Sequence, residues 1–147
     1  MTELHLEVGI VVARRKLNSP WAEFAWSPIA VLAAAPQLDR GVSVSHGDGH
    51  EIFFAGAATL TLHSSDTSHY RDNLQAAQSS VWVALTPDES LPEVCCVTAD
   101  PYEGEALAEV YAERLEALSM PLAVREAVEK FVAENHVEKP FVKRERR

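Results

Sequence analysis

The chain has 147 residues, 24% of them charged, and a formal net charge of −9 at pH 7. This length fits one domain that buries roughly two-thirds of its unfolded surface. The negative charge argues against nucleic acid as a general partner, because phosphate binding needs a broad positive face. The charge is also uneven, since residues 100–138 have a balance of −7 and residues 139–147 a balance of +4.

The chain shows no sign of membrane insertion or export. No apolar stretch approaches the ~20 residues that span a bilayer, and residues 1–7 lack the basic start and apolar run of a signal peptide. The two cysteines, Cys95 and Cys96, are adjacent, and their Cα atoms, about 3.8 Å apart, are closer than in the usual disulfide. Free thiols fit a reducing compartment. We therefore expect a soluble, cytoplasmic protein with one core and one half-exposed cysteine on opposite faces of a strand.

The first part of the chain alternates apolar and polar residues, which is typical of strands. Residues 4–13 are predicted to form the first strand and residues 26–34 the second, in which Pro28 favours a sheet edge or a strand start because it cannot donate to the ladder. Residues 42–45 form a third strand that turns through 46–50 into a return strand at 51–54. Gly56 allows a bulge before the alternation resumes at residues 58–63. This pattern predicts consecutive antiparallel strands.

The second part introduces helices. Residues 66–78 favour a short connecting helix capped by Ser65 or Asp66, followed by strands at 79–86 and 94–99. Asp100-Pro101 is typical of a helix start, and the apolar positions continue at helical spacing. Met120-Pro121 divides that helix from a second one. The expected apolar faces of the two helices are Leu107, Val110, Tyr111, Leu115 and Leu118, and then Val124, Val128, Phe131 and Val132.

These elements together predict an α+β fold. We expect an antiparallel β-meander of about six to seven strands, barrel-like or strongly curved, with the connecting helix and a C-terminal pair of helices. Residues 1–138 form a single domain in this interpretation, and residues 139–147 form a basic C-terminal tail.

A histidine-rich turn is one candidate for chemistry. His46 and His50 flank Asp48, and His63 and His69 follow further along the chain. A hairpin could gather such groups around Zn²⁺ or another divalent ion. A solvated hairpin tip explains the same residues, because turns attract Gly, Asp and polar side chains. We expect no catalytic residues and no cofactor.

Aromatic and basic residues are the candidates for partner binding. Trp21 lies in a predicted turn and could be an exposed anchor, whereas Trp26 opens a strand and is expected to pack in the core. Phe141 could serve as a second anchor in the tail, which is otherwise interpreted as a solubilising end. The tail cations that could meet an acidic surface are Lys143, Arg144, Arg146 and Arg147.

Several segments resemble an uncharacterised bacterial domain-of-unknown-function family, and they cover nearly the whole chain. They include residues 8–15, 19–21, 26–32, 54–56, 60–63, 70–74, 98–103 and 136–144. Genes of that family tend to lie in formate dehydrogenase clusters, so the resemblance implies a role in assembling or maturing a molybdenum-dependent formate dehydrogenase. It brings no catalytic residues with it.

We therefore expect a non-catalytic accessory protein, acting like a chaperone through contacts with a formate dehydrogenase subunit or another maturation factor. The alternative is a small metal- or cofactor-binding protein that uses His46, Asp48, His50 and a thiol and that could also be an enzyme.

Overall fold

The structure, a computed structural model, describes residues 2–47, 50–88 and 90–136. These ranges contain strands, α-helices and two single-turn 3-10 segments. The strands are β1 (Glu3–Lys16), β2 (Phe24–Leu32), β3 (Ser43–Gly47), β4 (His50–His63), β5 (Ser80–Leu85), β6 (Val94–Thr98) and β7 (Leu115–Ser119), and the helices are α1 (Thr67–Gln75), α2 (Pro101–Tyr111) and α3 (Leu122–Asn135).

The first sheet has the order β2-β1-β4-β3, with every pair antiparallel. β1 lies between β2 and β4 because it is long and apolar on alternate residues. Val8, Ile10 and Val12 are fully buried, as the alternation predicts for a strand with one face on the core. β4 is one continuous strand rather than the two that the sequence suggested.

Two bulges interrupt this sheet. Pro28 lies on the edge strand β2, where the register with β1 shifts beside it, so its missing N–H costs no central ladder bond. Gly56 has a φ of +111° at the second shift, where β4 pairs with β1. A left-handed φ suits glycine because it has no Cβ. Both the edge position of Pro28 and the bulge at Gly56 are confirmed.

The second sheet has the order β6-β5-β7, again antiparallel. It corrects the prediction of one long helix, because α2 ends at Tyr111 and residues 115–119 form β7. Ala112, with a φ of 49°, reverses the chain. The helical spacing of Leu115 and Leu118 was misleading, since β7 supplies hydrogen-bond partners to an edge of β5 that would otherwise be unpaired.

The helices pack against one another, and α2 also packs on the second sheet. α3 buries Val124, Val128 and Phe131 as predicted. α2 lies on β5 at Gly104, where an added Cβ would come within 2.6 Å of the Trp82 ring. None of the helices within the described ranges combines the length and the apolar character needed to cross a bilayer.

The architecture is thus α+β, in agreement with the fold class, but it is not a simple meander. β4 pairs with β1 instead of β2 pairing with β3, and the strands divide into sheets of four and three. In the part of the chain that the structure describes these sheets form no closed barrel, so the barrel-like form of the prediction is not confirmed.

Candidate functional site

Trp21 is 87% exposed in the loop between β1 and β2. Its backbone N–H donates to Oγ of Ser19 at 3.2 Å, which ties the ring-bearing residue to a local turn. Trp26 is half-buried on β2 and packs on the core with its ring 5.6 Å from that of Phe53. The structure therefore separates the two tryptophans as expected, one in solvent and one against the core.

The histidine-rich turn joins β3 to β4. In the ladder His46 lies opposite Glu51, and His50, which is exposed, lies opposite Gly47. His50 lines an open cavity of about 520 Å³ that also touches Glu113 and Glu116. Asp48 and the side chain of His46 fall outside what the structure describes, so a metal site formed by His46, Asp48 and His50 stays a prediction.

The paired cysteines differ from their expected positions. Cys95 is exposed and Cys96 is half-buried on β6, so the prediction of a core cysteine is wrong. The register of β6 against β5 shifts here and leaves Cys95 without a ladder partner. Cys96 first, and Cys95 to a smaller extent, raise the pKa of Tyr111. Both thiols therefore face the same phenol. A bulge, unlike a regular strand, allows neighbouring side chains to approach the same group.

The basic tail, residues 139–147, also lies outside the described residues. Phe141, Lys143, Arg144, Arg146 and Arg147 therefore remain sequence-based candidates for partner binding. The last described residues before the tail are those of α3, which ends at Asn135, and then His136, which contacts α1. Nδ1 of His136 is 2.9 Å from Oγ1 of Thr67.

A group of titratable side chains that the sequence did not single out lies at the start of α1 and α2. We call Asp66, His69 and Asp100 the His69 group. Each offers one ligand atom, and these atoms all lie within 4.8 Å of one another. Nδ1 of His69 donates to Oδ2 of Asp100 at 2.9 Å. Within the described residues this is the only group of three His, Cys, Asp or Glu side chains whose ligand atoms lie this close together.

Backbone geometry fixes the position of Asp100. It is the N-cap of α2, and its Oδ1 accepts from the backbone N–H groups of Tyr102 at 2.9 Å and Glu103 at 3.4 Å. Capping uses one carboxylate oxygen and leaves the other for His69. Asp66 directly precedes α1 as the last residue of the 3-10 turn Ser64–Asp66, and its side chain makes no capping hydrogen bond. The carboxylate of Asp66 is therefore not committed to the helix.

Several carboxylates act on the imidazole of His69. The hydrogen bond to Asp100 raises the pKa of His69, against the opposing effect of partial burial, and the charges of Asp100, Asp66 and Asp72 add to the increase. Partial desolvation raises the pKa of Glu103, although the residue as a whole is exposed, and Asp100 and Asp66 raise it further. The imidazole thus faces a surplus of negative charge.

Two tyrosines stabilise the surroundings of the group, one against the His69 ring and one at the base of α1. The ring of Tyr102 lies 4.5 Å from the ring of His69, and its hydroxyl donates to Asp72 at 2.9 Å. Tyr70 is 2% exposed, and its hydroxyl accepts from the backbone N–H of His63 at 2.9 Å. Burial raises the pKa of Tyr70 to about 12, so its phenol remains neutral at physiological pH. Tyr70 thereby joins the end of β4 to the helix that carries His69.

Replacing Tyr70 with phenylalanine is expected to lower the free energy of unfolding by about 1–2 kcal/mol, because the N–H of His63 loses its partner while the ring packing is kept. Urea denaturation would measure the change. The matched control is Tyr102→Phe, whose hydroxyl bonds an exposed carboxylate and should cost less than about 1 kcal/mol. Equal losses from the two substitutions would contradict the structural role given to the Tyr70 hydroxyl.

Sequence reasoning named the components of the His69 group without combining them. Asp66 was interpreted as a possible helix cap, Asp100 as a helix start and His69 as a distant companion of the turn histidines. The usable signal was the spacing of Asp66 and His69, which places them on one side of a first helical turn. Their proximity to Asp100 depends on how α1 and α2 pack together, which the sequence alone does not provide.

Comparison with known families places the chain in an uncharacterised family. A family model described as a protein of unknown function, DUF3305, matches residues 7–145. The chain belongs to this family. The match confirms the uncharacterised domain family that the sequence segments resembled. No curated protein and no solved structure matches the chain.

Proposed function

We propose that this protein is a non-catalytic, cytoplasmic accessory protein that binds another protein during the assembly or maturation of a molybdenum-dependent formate dehydrogenase. The observation that carries the binding role is the 87% exposure of Trp21. We name formate dehydrogenase because genes of the family that the chain resembles tend to lie in formate dehydrogenase clusters. The partner in this proposal is a formate dehydrogenase subunit or another maturation factor.

An exposed tryptophan suits a binding role for energetic reasons. Tryptophan is among the residues enriched at interface hot spots, where truncation to alanine costs about 2 kcal/mol or more. Leaving such a ring in water forgoes the stabilisation that burial would give. Trp21 also makes a poor core residue, because it lies in the loop between two strands while Trp26 on the adjacent strand packs inward.

The tail adds electrostatic attraction to this proposal. Residues 139–147 carry five basic side chains and one acidic side chain in a chain of net charge −9. Such a segment would steer an acidic partner surface towards the protein, and salt would weaken the effect because it screens exposed charges. Phe141 would supply apolar contact within the same segment.

The test is binding of purified, untagged protein to a purified formate dehydrogenase catalytic subunit, followed by calorimetry or interferometry. Trp21→Ala is expected to weaken binding about 30-fold, which corresponds to the loss of about 2 kcal/mol. Deleting residues 139–147 is expected to reduce the association rate and its dependence on salt. Thermal melting should be unchanged in both variants, because Trp21 contributes little buried area.

Leu122→Ala is the matched control, since Leu122 is 70% exposed on a different element, α3. It should leave binding within about twofold of wild type, as near-neutral surface contacts do. The absence of binding to the subunit, or equal losses from Trp21→Ala and Leu122→Ala, would count against the proposal.

A further inference from the structure

We propose that Asp66, His69 and Asp100 bind a divalent transition-metal ion at the junction of α1 and α2. This site is separate from the histidine-rich turn and independent of the protein-binding role. It would be a three-ligand site, with the remaining coordination positions open to water or to a small anionic ligand.

The first support is the spacing of the ligand atoms. Two atoms bonded to one metal at about 2.1 Å lie about 3.0–3.4 Å apart when their bonds are about 90–109° apart. Nδ1 of His69 and Oδ2 of Asp100 are already 2.9 Å apart. A metal ion would replace the proton between them. The ligand atom of Asp66 lies within 4.8 Å of these two atoms and would move closer to complete the set, while the His69 side chain, which is 37% exposed, has room to adjust.

The second support is that the ligands are positioned by other parts of the fold. Oδ1 of Asp100 is held by two backbone N–H groups at the start of α2, so Oδ2 points in a fixed direction. Hydrogen bonds that orient a metal-binding carboxylate in this way are a regular feature of metal sites. The ring of Tyr102, 4.5 Å from that of His69, restricts the imidazole on another side.

The third support is Asp66. Asp66 is the last residue of the 3-10 turn Ser64–Asp66, which runs directly into α1, and its side chain makes no capping hydrogen bond. Its carboxylate lies in the group around His69. A cation would neutralise the repulsion between Asp66 and Asp100, which a single imidazole proton only partly relieves.

The donor set selects the class of ion. The imidazole nitrogen suits borderline ions such as Zn²⁺ and Fe²⁺, and the two carboxylate oxygens also suit the harder Mn²⁺. Ca²⁺ prefers six to eight oxygen ligands, which this group does not supply within the described residues.

The test is titration of chelator-treated, untagged full-length protein with Zn²⁺ and separately with Mn²⁺, followed by calorimetry and, for Mn²⁺, by electron paramagnetic resonance. We expect one tight ion per chain for at least one of the two metals. Asp66→Asn and His69→Gln should each weaken binding at least about tenfold, since even the loss of an orienting partner costs about 10–100-fold. Asp66→Asn should fold normally because no capping bond is lost.

Two matched controls make the result specific. Asp39→Asn changes an exposed aspartate in the loop between β2 and β3, and His50→Gln changes the exposed histidine of the turn. Both should bind as wild type does. The proposal is overturned if neither metal binds below millimolar concentration, if folded Asp66→Asn and His69→Gln proteins bind normally, or if His50→Gln abolishes binding.

Discussion

Replacing Gly104 with alanine is expected to destabilise the protein by about 2 kcal/mol, even though alanine is the better helix former. The added Cβ would lie 2.6–2.7 Å from three atoms of the Trp82 ring, a distance at which something must move. Overpacking an interior costs about 1–3 kcal/mol, or more when a rigid group is struck. The gain in helix propensity returns only about 1 kcal/mol. The midpoint of urea denaturation is the measurement.

A double-mutant cycle isolates the cause. In a Trp82→Leu background the ring is gone, and Gly104→Ala should then be neutral or stabilising by up to about 1 kcal/mol, as helix propensity predicts. If Gly104→Ala costs the same with and without the Trp82 ring, or stabilises the wild type, the close packing of α2 on β5 is wrong.

Replacing Asn73 with aspartate is expected to cost about 3–5 kcal/mol at neutral pH. Asn73 is 2% exposed. Its Nδ2 donates to the carbonyls of Ser80 and Ala99, each at 2.8 Å, while Oδ1 accepts from the N–H of Ser80 at 2.9 Å. A carboxylate keeps the accepted bond, loses both donated bonds and places a charge beside two carbonyl oxygens. Each buried group left unsatisfied costs about 1–3 kcal/mol, and a buried unpaired charge costs more.

Asn135→Asp is the matched control. Nδ2 of Asn135 donates to the carbonyl of Phe131 at 2.9 Å, but this residue is half-buried at the end of α3, where water can replace the bond. Thermal or urea unfolding should show a loss below about 1 kcal/mol. Comparable losses for Asn73→Asp and Asn135→Asp would contradict the role of Asn73 in joining α1 to β5 and to the end of β6.

Local sequence signals predicted much of the fold because alternation, glycine and helix-capping residues act on the backbone of their own segment. The alternation from Leu4 onward identified β1, glycine at position 56 identified a bulge, and Asp100-Pro101 identified the start of α2. Signals that depend on distant partners were misleading. Leu115 and Leu118 have helical spacing, but β5 needs a strand on its second edge. No local pattern shows that β1 pairs with β4.

The same distinction between local and distant signals applies to the candidate sites. The exposure of Trp21 was predictable because a residue between two strands has little opportunity to pack. The His69 group was not predictable, since it combines the start of α1 with a residue from the start of α2. Cys95 and Cys96 were assigned to opposite faces on the assumption of a regular strand, and a register shift removes that assumption.

The pairing of β1 has a consequence for synthesis. Glu3 pairs with His63 and Arg15 with His50, so β1 leaves the ribosome well before the strand that covers its second edge. At about 5–20 residues per second the delay lasts several seconds, far longer than a hairpin of about 1–10 μs needs to form. During that interval the nascent β1–β2 hairpin presents an open edge of unpaired N–H and C=O groups, with which a strand of a neighbouring chain can pair.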